Sequence, residues 1–204
     1  MKYTECFNYI ASRRTDQIVI TSAGNSGQAW WAASNRDSER TFYLDASMSL
    51  STMFGSGMAM ALPQLKFWVF MGDGAFCMNP GMLMVERDLN LPNMVHLLVS
   101  NRVYGATSNA DLPNKKENDY GAIGRAMGLE RVYTFASIEA LKSGFDEALL
   151  GNAPGHTFVV LEVEPFDDKE QKLEQPPIDA PELKYRFGRT IERLGGIDIF
   201  GYKL

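Results

Sequence analysis

The chain is 204 residues long, 45% hydrophobic and 22% charged, with 20 basic and 25 acidic residues and a formal charge of −5. That length fits one domain with a sizeable core plus a tail rather than two domains, and the acidic balance leaves no electrostatic footprint for nucleic acid. Cys6 and Cys77 stand alone, which argues against an iron–sulfur or zinc site, and the lack of an 18-residue apolar span or a signal sequence sets the expectation of a cytoplasmic protein.

Apolar runs alternate with helical stretches almost throughout, the pattern of an α/β chain whose parallel sheet is covered by helices on both faces. The first strand is predicted over 18–22. Asn25 and Ser26 follow at its carboxyl end, where they read either as anion ligands or as an ordinary turn. A helix over 27–33, a strand over 41–44 and a small-residue helix over 51–61 come next. The run at 66–71 is a third strand and ends in Gly72-Asp73-Gly74-Ala75-Phe76. A helix over 80–90 carries Met82, Leu83, Val85 and Leu89 near one face, and Leu91-Pro92 closes it. The fourth strand, 94–100, runs into Ser100-Asn101-Arg102-Val103-Tyr104-Gly105.

Residues 106–118 are polar, either a lid or a solvated connection. A helix over 119–127, a strand over 131–135, a helix over 137–150 and a strand over 157–163 complete the alternation. Residues 1–165 are thus one domain; 166–181, acidic and proline-bearing, read as a linker, and 182–194 as an amphipathic helix presenting Leu183, Phe187, Ile191 and Leu194. The apolar tail 197–204 is expected to dock on its own domain or on another subunit. Glu86 on the crossover helix and His96 inside the fourth strand read as structural residues, and His156 falls at a strand start.

Parallel strands joined by a right-handed crossover bring Asp73 and Asn101 to the same carboxyl edge of the sheet, where open α/β folds bind ligands. A carboxylate, an amide oxygen and a backbone carbonyl are the hard oxygen ligands of Mg²⁺, whose remaining positions phosphate and water fill. The pair therefore reads as a site for a metal-bound diphosphate, with Gly74 allowing close backbone approach. A dinucleotide fingerprint is the rival, but Cys77 stands where its third glycine belongs.

With these motifs in order, the sequence resembles the diphosphate-binding domain of thiamine diphosphate enzymes over most of 15–165: Gly-Asp-Gly, a helix and a strand, then Asn. Upstream, Ala23-Gly24-Asn25-Ser26-Gly27-Gln28 looks like the first loop of that domain in the acetolactate synthase group, and Ala46-Ser47-Met48-Ser49 looks like the family's Gly-Ser-Met-Gly turn. The resemblance implies thiamine diphosphate and Mg²⁺ as cofactors. It makes the Asp73 and Asn101 side chains and the Val103 carbonyl metal ligands, and sets Gly72, Gly74, Ala75, Tyr104, Asn25 and Ser26 around the cofactor. Met48 would wedge between the two cofactor rings, with the Ala46 carbonyl and the Met48 N–H on the pyrimidine edge. Arg102, Ala46 and Ser49 occupy positions where the family has glycine.

The chain is most similar in shape and length to the small subunits of two-chain 2-oxoacid decarboxylases, such as those of sulfopyruvate type, and to the related phosphonopyruvate enzymes. That implies a cofactor-binding subunit of a hetero-oligomer whose partner carries the pyrimidine-binding domain and the activating glutamate, acting on a short 2-oxoacid with a second anionic group. A carboligase of acetolactate synthase type and a non-catalytic thiamine diphosphate-binding scaffold subunit are the alternatives. Neither nucleic acid nor membrane is expected as a partner.

Overall fold

Four strands, β1 (Ile18–Ser22), β3 (Phe67–Gly72), β4 (Met94–Ser100) and β6 (Thr157–Glu162), are buried along nearly their whole length, whereas β2 (Thr41–Leu44) and β5 (Arg131–Phe135) are only partly covered. Burial alone thus sorts the strands into centre and edge. In the computed structural model, which describes residues 1–22, 24–44, 47–152 and 154–201, they form one parallel sheet in the order β2-β1-β3-β4-β6-β5.

Side chains alternate between the two faces with the strand period of two. Val19, Trp68, Phe70, Leu97, Val99, Val159 and Leu161 point to one core, packed by α1 (Tyr3–Ser12), α2 (Asn25–Ala33) and α7 (Ile138–Phe145). Ile18, Ile20, Phe67, Val69, Leu98, Phe158 and Val160 point to the other, packed by α3 (Ser51–Ala61), α5 (Met82–Leu89), α6 (Tyr120–Ala126) and α8 (Ala180–Gly195). The result is three layers, as the alternation predicts. Fully buried aromatic and aliphatic side chains such as Trp30, Trp68 and Phe70 each contribute about 1.5–3 kcal/mol of transfer free energy or more.

The structure adjusts several expectations. The second helix begins at Asn25 rather than 27, because Gly24 turns the chain at φ 90° and lets Asn25 and Ser26 enter the first helical turn. The crossover helix spans Met82–Leu89, and a separate one-turn helix, α4 (Asp73–Phe76), directly follows β3. The helix predicted over 137–150 is α-helical to Phe145 and continues as a π-helical turn, Asp146–Leu150, that keeps Ala148 and Leu149 in the core. Strand ends shift by one residue at 66–71 and 157–163.

No sequence expectation covered α1, although Tyr3, Cys6, Phe7 and Ile10 have the i, i+3, i+4, i+7 spacing of a buried helical face. It packs on α2 and the sheet, with the Phe7 and Phe70 rings 4.9 Å apart. Between β6 and α8, Glu170 is buried and its carboxylate accepts from the Thr4 N–H (2.8 Å) and hydroxyl (2.7 Å), tying this segment back to α1. The tail returns to α8: Phe200 lies over Gly188, and the Glu192 carboxylate accepts the Ile199 and Phe200 N–H groups.

Candidate functional site

The chain leaves β1 toward β2 on one side and leaves β3 toward β4 on the other, so a crevice opens between the carboxyl ends of β1 and β3. A cavity of about 400 Å³ occupies this position. Gly24, Asn25 and Ser26 line it from the β1 end, Gly72 to Ala75 from the β3 end, and Asn101 with Val103 to Thr107 from the β4 end. Met48, Tyr3 and Gln175 complete it. The sequence-predicted residues of known placement are therefore brought together; Ala46 lies outside the described residues.

Asp73 is buried at the floor. One carboxylate oxygen accepts the Gly74 N–H at 2.9 Å and the other the Arg102 N–H at 2.7 Å, which locks the β3 turn to the β4 turn. Burial pushes the carboxyl up to about 6, against the pull of those two N–H groups and of the Arg102 charge. A cation beside it would favour the ionised form. The Asn101 side-chain oxygen accepts the Val103 N–H at 3.1 Å, which orients it, and Val103 itself is buried.

Arg102 sits in the left-handed region at φ 66°, the conformation that a glycine would adopt at no steric cost. Its guanidinium offsets the strain. It forms a two-point ion pair with Glu162 at the end of β6 (2.6 and 3.2 Å), donates to the carbonyls of Asn118 and Lys115, and lies 4.9 Å over the Tyr120 ring. Ser49 repeats the substitution at φ 68°, beside Met48. Both positions where this sequence departs from the family's glycine, and whose backbone is described, keep the glycine-like turn.

Met48 is 42% exposed and lines the cavity, so it is not a core methionine. Gly105 closes the opposite wall, where a Cβ would come within 2.6 Å of Asn25 Nδ2 and 2.8 Å of Asn101 Nδ2. Asn25 Nδ2 is buried and has no protein partner. Ser26 instead shares a hydrogen bond of 2.9 Å with the Tyr3 hydroxyl, which burial pushes well above the usual phenol range. In the polar stretch after Asn101, the Tyr104 carbonyl accepts N–H groups from Thr107, Ser108 and Asn109, and only the first residues of that stretch face the cavity.

Residues 22–163 match the family described as thiamine pyrophosphate enzyme, C-terminal TPP binding domain. The chain belongs to that family. It is 32% identical, over 87% of its own length and 89% of the relative, to the sulfopyruvate decarboxylase subunit beta of Methanocaldococcus jannaschii. It is 27% identical to the sulfopyruvate decarboxylase of Methanosarcina acetivorans, of which it spans only 45%. The fold is also that of a solved structure described as a candidate thiamin diphosphate-dependent enzyme from Mycobacterium smegmatis, with a TM-score of 0.67, 17% identity, and coverage of 81% of this chain and 32% of the other.

Sequence reasoning missed Tyr3 and Gln175, which reach the cavity of this TPP binding domain from outside the matched residues. The helical spacing around Tyr3 was a usable signal for its helix; nothing in the local sequence marks Gln175. It also missed the Arg102–Glu162 pair, because the two residues are 60 apart in sequence and meet only through strand pairing. No described helix is long and apolar enough to cross a membrane.

Proposed function

We propose that the chain is the cofactor-binding subunit of a two-chain, thiamine diphosphate- and Mg²⁺-dependent 2-oxoacid decarboxylase that works in the cytoplasm. The observation that carries this reading is near end-to-end similarity to a sulfopyruvate decarboxylase subunit beta, combined with a cavity at the switch point floored by Asp73 and Asn101. The residues fit the cofactor. Two oriented oxygen donors stand together at the floor, and Asn25 Nδ2 is an unsatisfied donor suited to an anionic group.

In this reading Asp73, Asn101 and the Val103 carbonyl hold Mg²⁺, and Gly72, Gly74, Ala75, Tyr104, Asn25 and Ser26 surround the diphosphate. Met48 would hold the cofactor in its bent form, and the backbone of Met48 and Ala46 would offer the hydrogen-bonding groups for the pyrimidine. When bound, thiamine diphosphate supplies the nucleophilic carbon and the electron sink that let a 2-oxoacid lose carbon dioxide. The buried floor around Asp73 would keep water from the diphosphate, and Met48, exposed in the same cavity, would meet the rest of the cofactor.

The activating glutamate and the pyrimidine-binding domain belong to a second polypeptide. Support comes from the Methanosarcina acetivorans relative, a single chain of which this one matches less than half, and from the name "subunit beta" of the other. Met48, Leu50, Met60, Met78, Met84 and Val85 are large apolar side chains left exposed on α3, α5 and the turns beside them, a surface for that partner to cover.

The substrate is a short 2-oxoacid carrying a second anionic group, sulfonate or phosphonate. No lysine, arginine or histidine is among the described residues that line the cavity, whose polar groups toward such an anion are uncharged donors such as Asn25 Nδ2. A screen of carbon dioxide release from sulfopyruvate, phosphonopyruvate, pyruvate and an aromatic 2-oxoacid by the reconstituted complex tests the assignment. Preference for a doubly anionic substrate is expected; preference for the aromatic acid, or carboligation without net release, would overturn it.

A further inference from the structure

A second cluster of chemistry-bearing side chains lies toward the other end of the strands. Glu86 is on α5, His96 is the third residue of β4, and His156 immediately precedes β6. All three are buried. Glu86 Oε2 is 2.9 Å from His96 Nδ1 and 2.9 Å from His156 Nε2, and the three donor atoms lie within 4.8 Å of one another.

We infer that Glu86, His96 and His156 form a closed structural site for a divalent cation of the zinc class, separate from the cofactor cavity. Two imidazoles and a carboxylate suit zinc and the late first-row metals rather than Mg²⁺. Metal–ligand bonds of 2.0–2.1 Å set tetrahedral donors about 3.4 Å apart, so each oxygen–nitrogen pair opens by roughly half an ångström to admit the ion. The second carboxylate oxygen, Oε1, is buried without a partner and is free to take part in the coordination.

Without an ion the cluster is poorly balanced. Two neutral imidazoles donating to one carboxylate leave a net negative charge in an apolar setting, against the Phe158 ring 4.9 Å from His96, with Oε1 and His96 Nε2 both unpartnered. Either an extra proton or a cation must answer that charge. The cysteine argument against zinc does not reach this site, which uses no cysteine.

The ion would join three elements. It pins α5, the crossover between Asp73 and Asn101, to β4 and to the turn into β6; Asn90, ending α5 at φ 44°, accepts the His156 N–H at 2.9 Å at the same junction. Because all three ligands are buried, the ion is taken up as the chain folds.

The test therefore unfolds the full chain in chelator and refolds it with Co²⁺, in excess Mg²⁺ to occupy the Asp73 side. One cobalt per chain should survive desalting, with the visible absorption of a nitrogen-ligated ion and a higher Tm than the chelator-refolded chain. Glu86→Gln, which keeps the shape and removes the charge, should lose the ion; His156→Asn provides the same reading if that variant does not fold. A parent chain that refolds to the same Tm in chelator and retains no ion would show a proton-holding brace instead. Equal retention by parent and both variants would put the ion elsewhere. Either result overturns the inference.

Discussion

Asp73 and Met48 line the same cavity, yet Asp73 is 2% exposed and Met48 42%. Around Asp73 the polar groups are ordered by the protein itself: Gly74, Arg102, Asn101 and Val103 are joined by hydrogen bonds, and Arg102 is anchored to Glu162 across the sheet. Among the described residues around Met48 the frame is only the turn bond from the Leu50 N–H to the Ser47 carbonyl. Leu50 is 48% exposed and Ser49 holds a left-handed turn with no bracing ion pair shown. The difference teaches that the polar end of the cavity is ordered by this chain's own hydrogen bonds while the Met48 end is exposed, which is what the proposed two-chain reading expects.

The largest effect that would break this contrast is at the floor. Asp73→Ala removes the one charged ligand and leaves the Gly74 and Arg102 N–H groups without acceptors, so thiamine diphosphate affinity in Mg²⁺ should fall on the order of 100-fold or more. Asn101→Ala should weaken it by roughly 10- to 100-fold. Calorimetric titration of both variants reads this directly, and unchanged affinities would remove the metal assignment.

At the mouth the effect should fall on chemistry instead of affinity. Met48→Ala truncates an exposed side chain, so stability should change by no more than about 0.5 kcal/mol. Proton exchange at the thiazolium carbon, followed by NMR in the assembled enzyme, should slow on the order of 100-fold as the cofactor relaxes from its bent form. Equal exchange in mutant and parent would leave Met48 as a bystander.

The smallest effect sharpens the account of the floor. Arg102→Ala keeps a Cβ in the left-handed region and loses the Glu162 clamp, whereas Arg102→Gly loses the clamp alone. Urea denaturation should find the alanine variant the less stable of the two by roughly 1 kcal/mol. The reverse order would mean that the turn is not strained.

The contrast also marks what could be read from residues alone. The four inner strands were legible because both their faces are buried, and Asp73 and Asn101 because each ends such a strand. α1 left a readable apolar spacing that went unused, and with it Tyr3. Gln175, the Arg102–Glu162 pair and the Glu86–His96–His156 cluster depend on contacts between segments far apart in sequence, for which no local pattern exists. Glu86 and His96 read as structural and His156 only as the start of a strand, and the meeting of both histidines on one Glu86 oxygen is a property of the sheet register.

The central claim, a finished diphosphate end and an unfinished reactive end, is tested most directly by the purified chain alone. In Mg²⁺ it should bind thiamine diphosphate, measured by calorimetry, and show negligible carbon dioxide release from any 2-oxoacid until the second polypeptide is added. Robust turnover by the isolated chain would contradict the account, since the chain would then carry its own activating carboxylate.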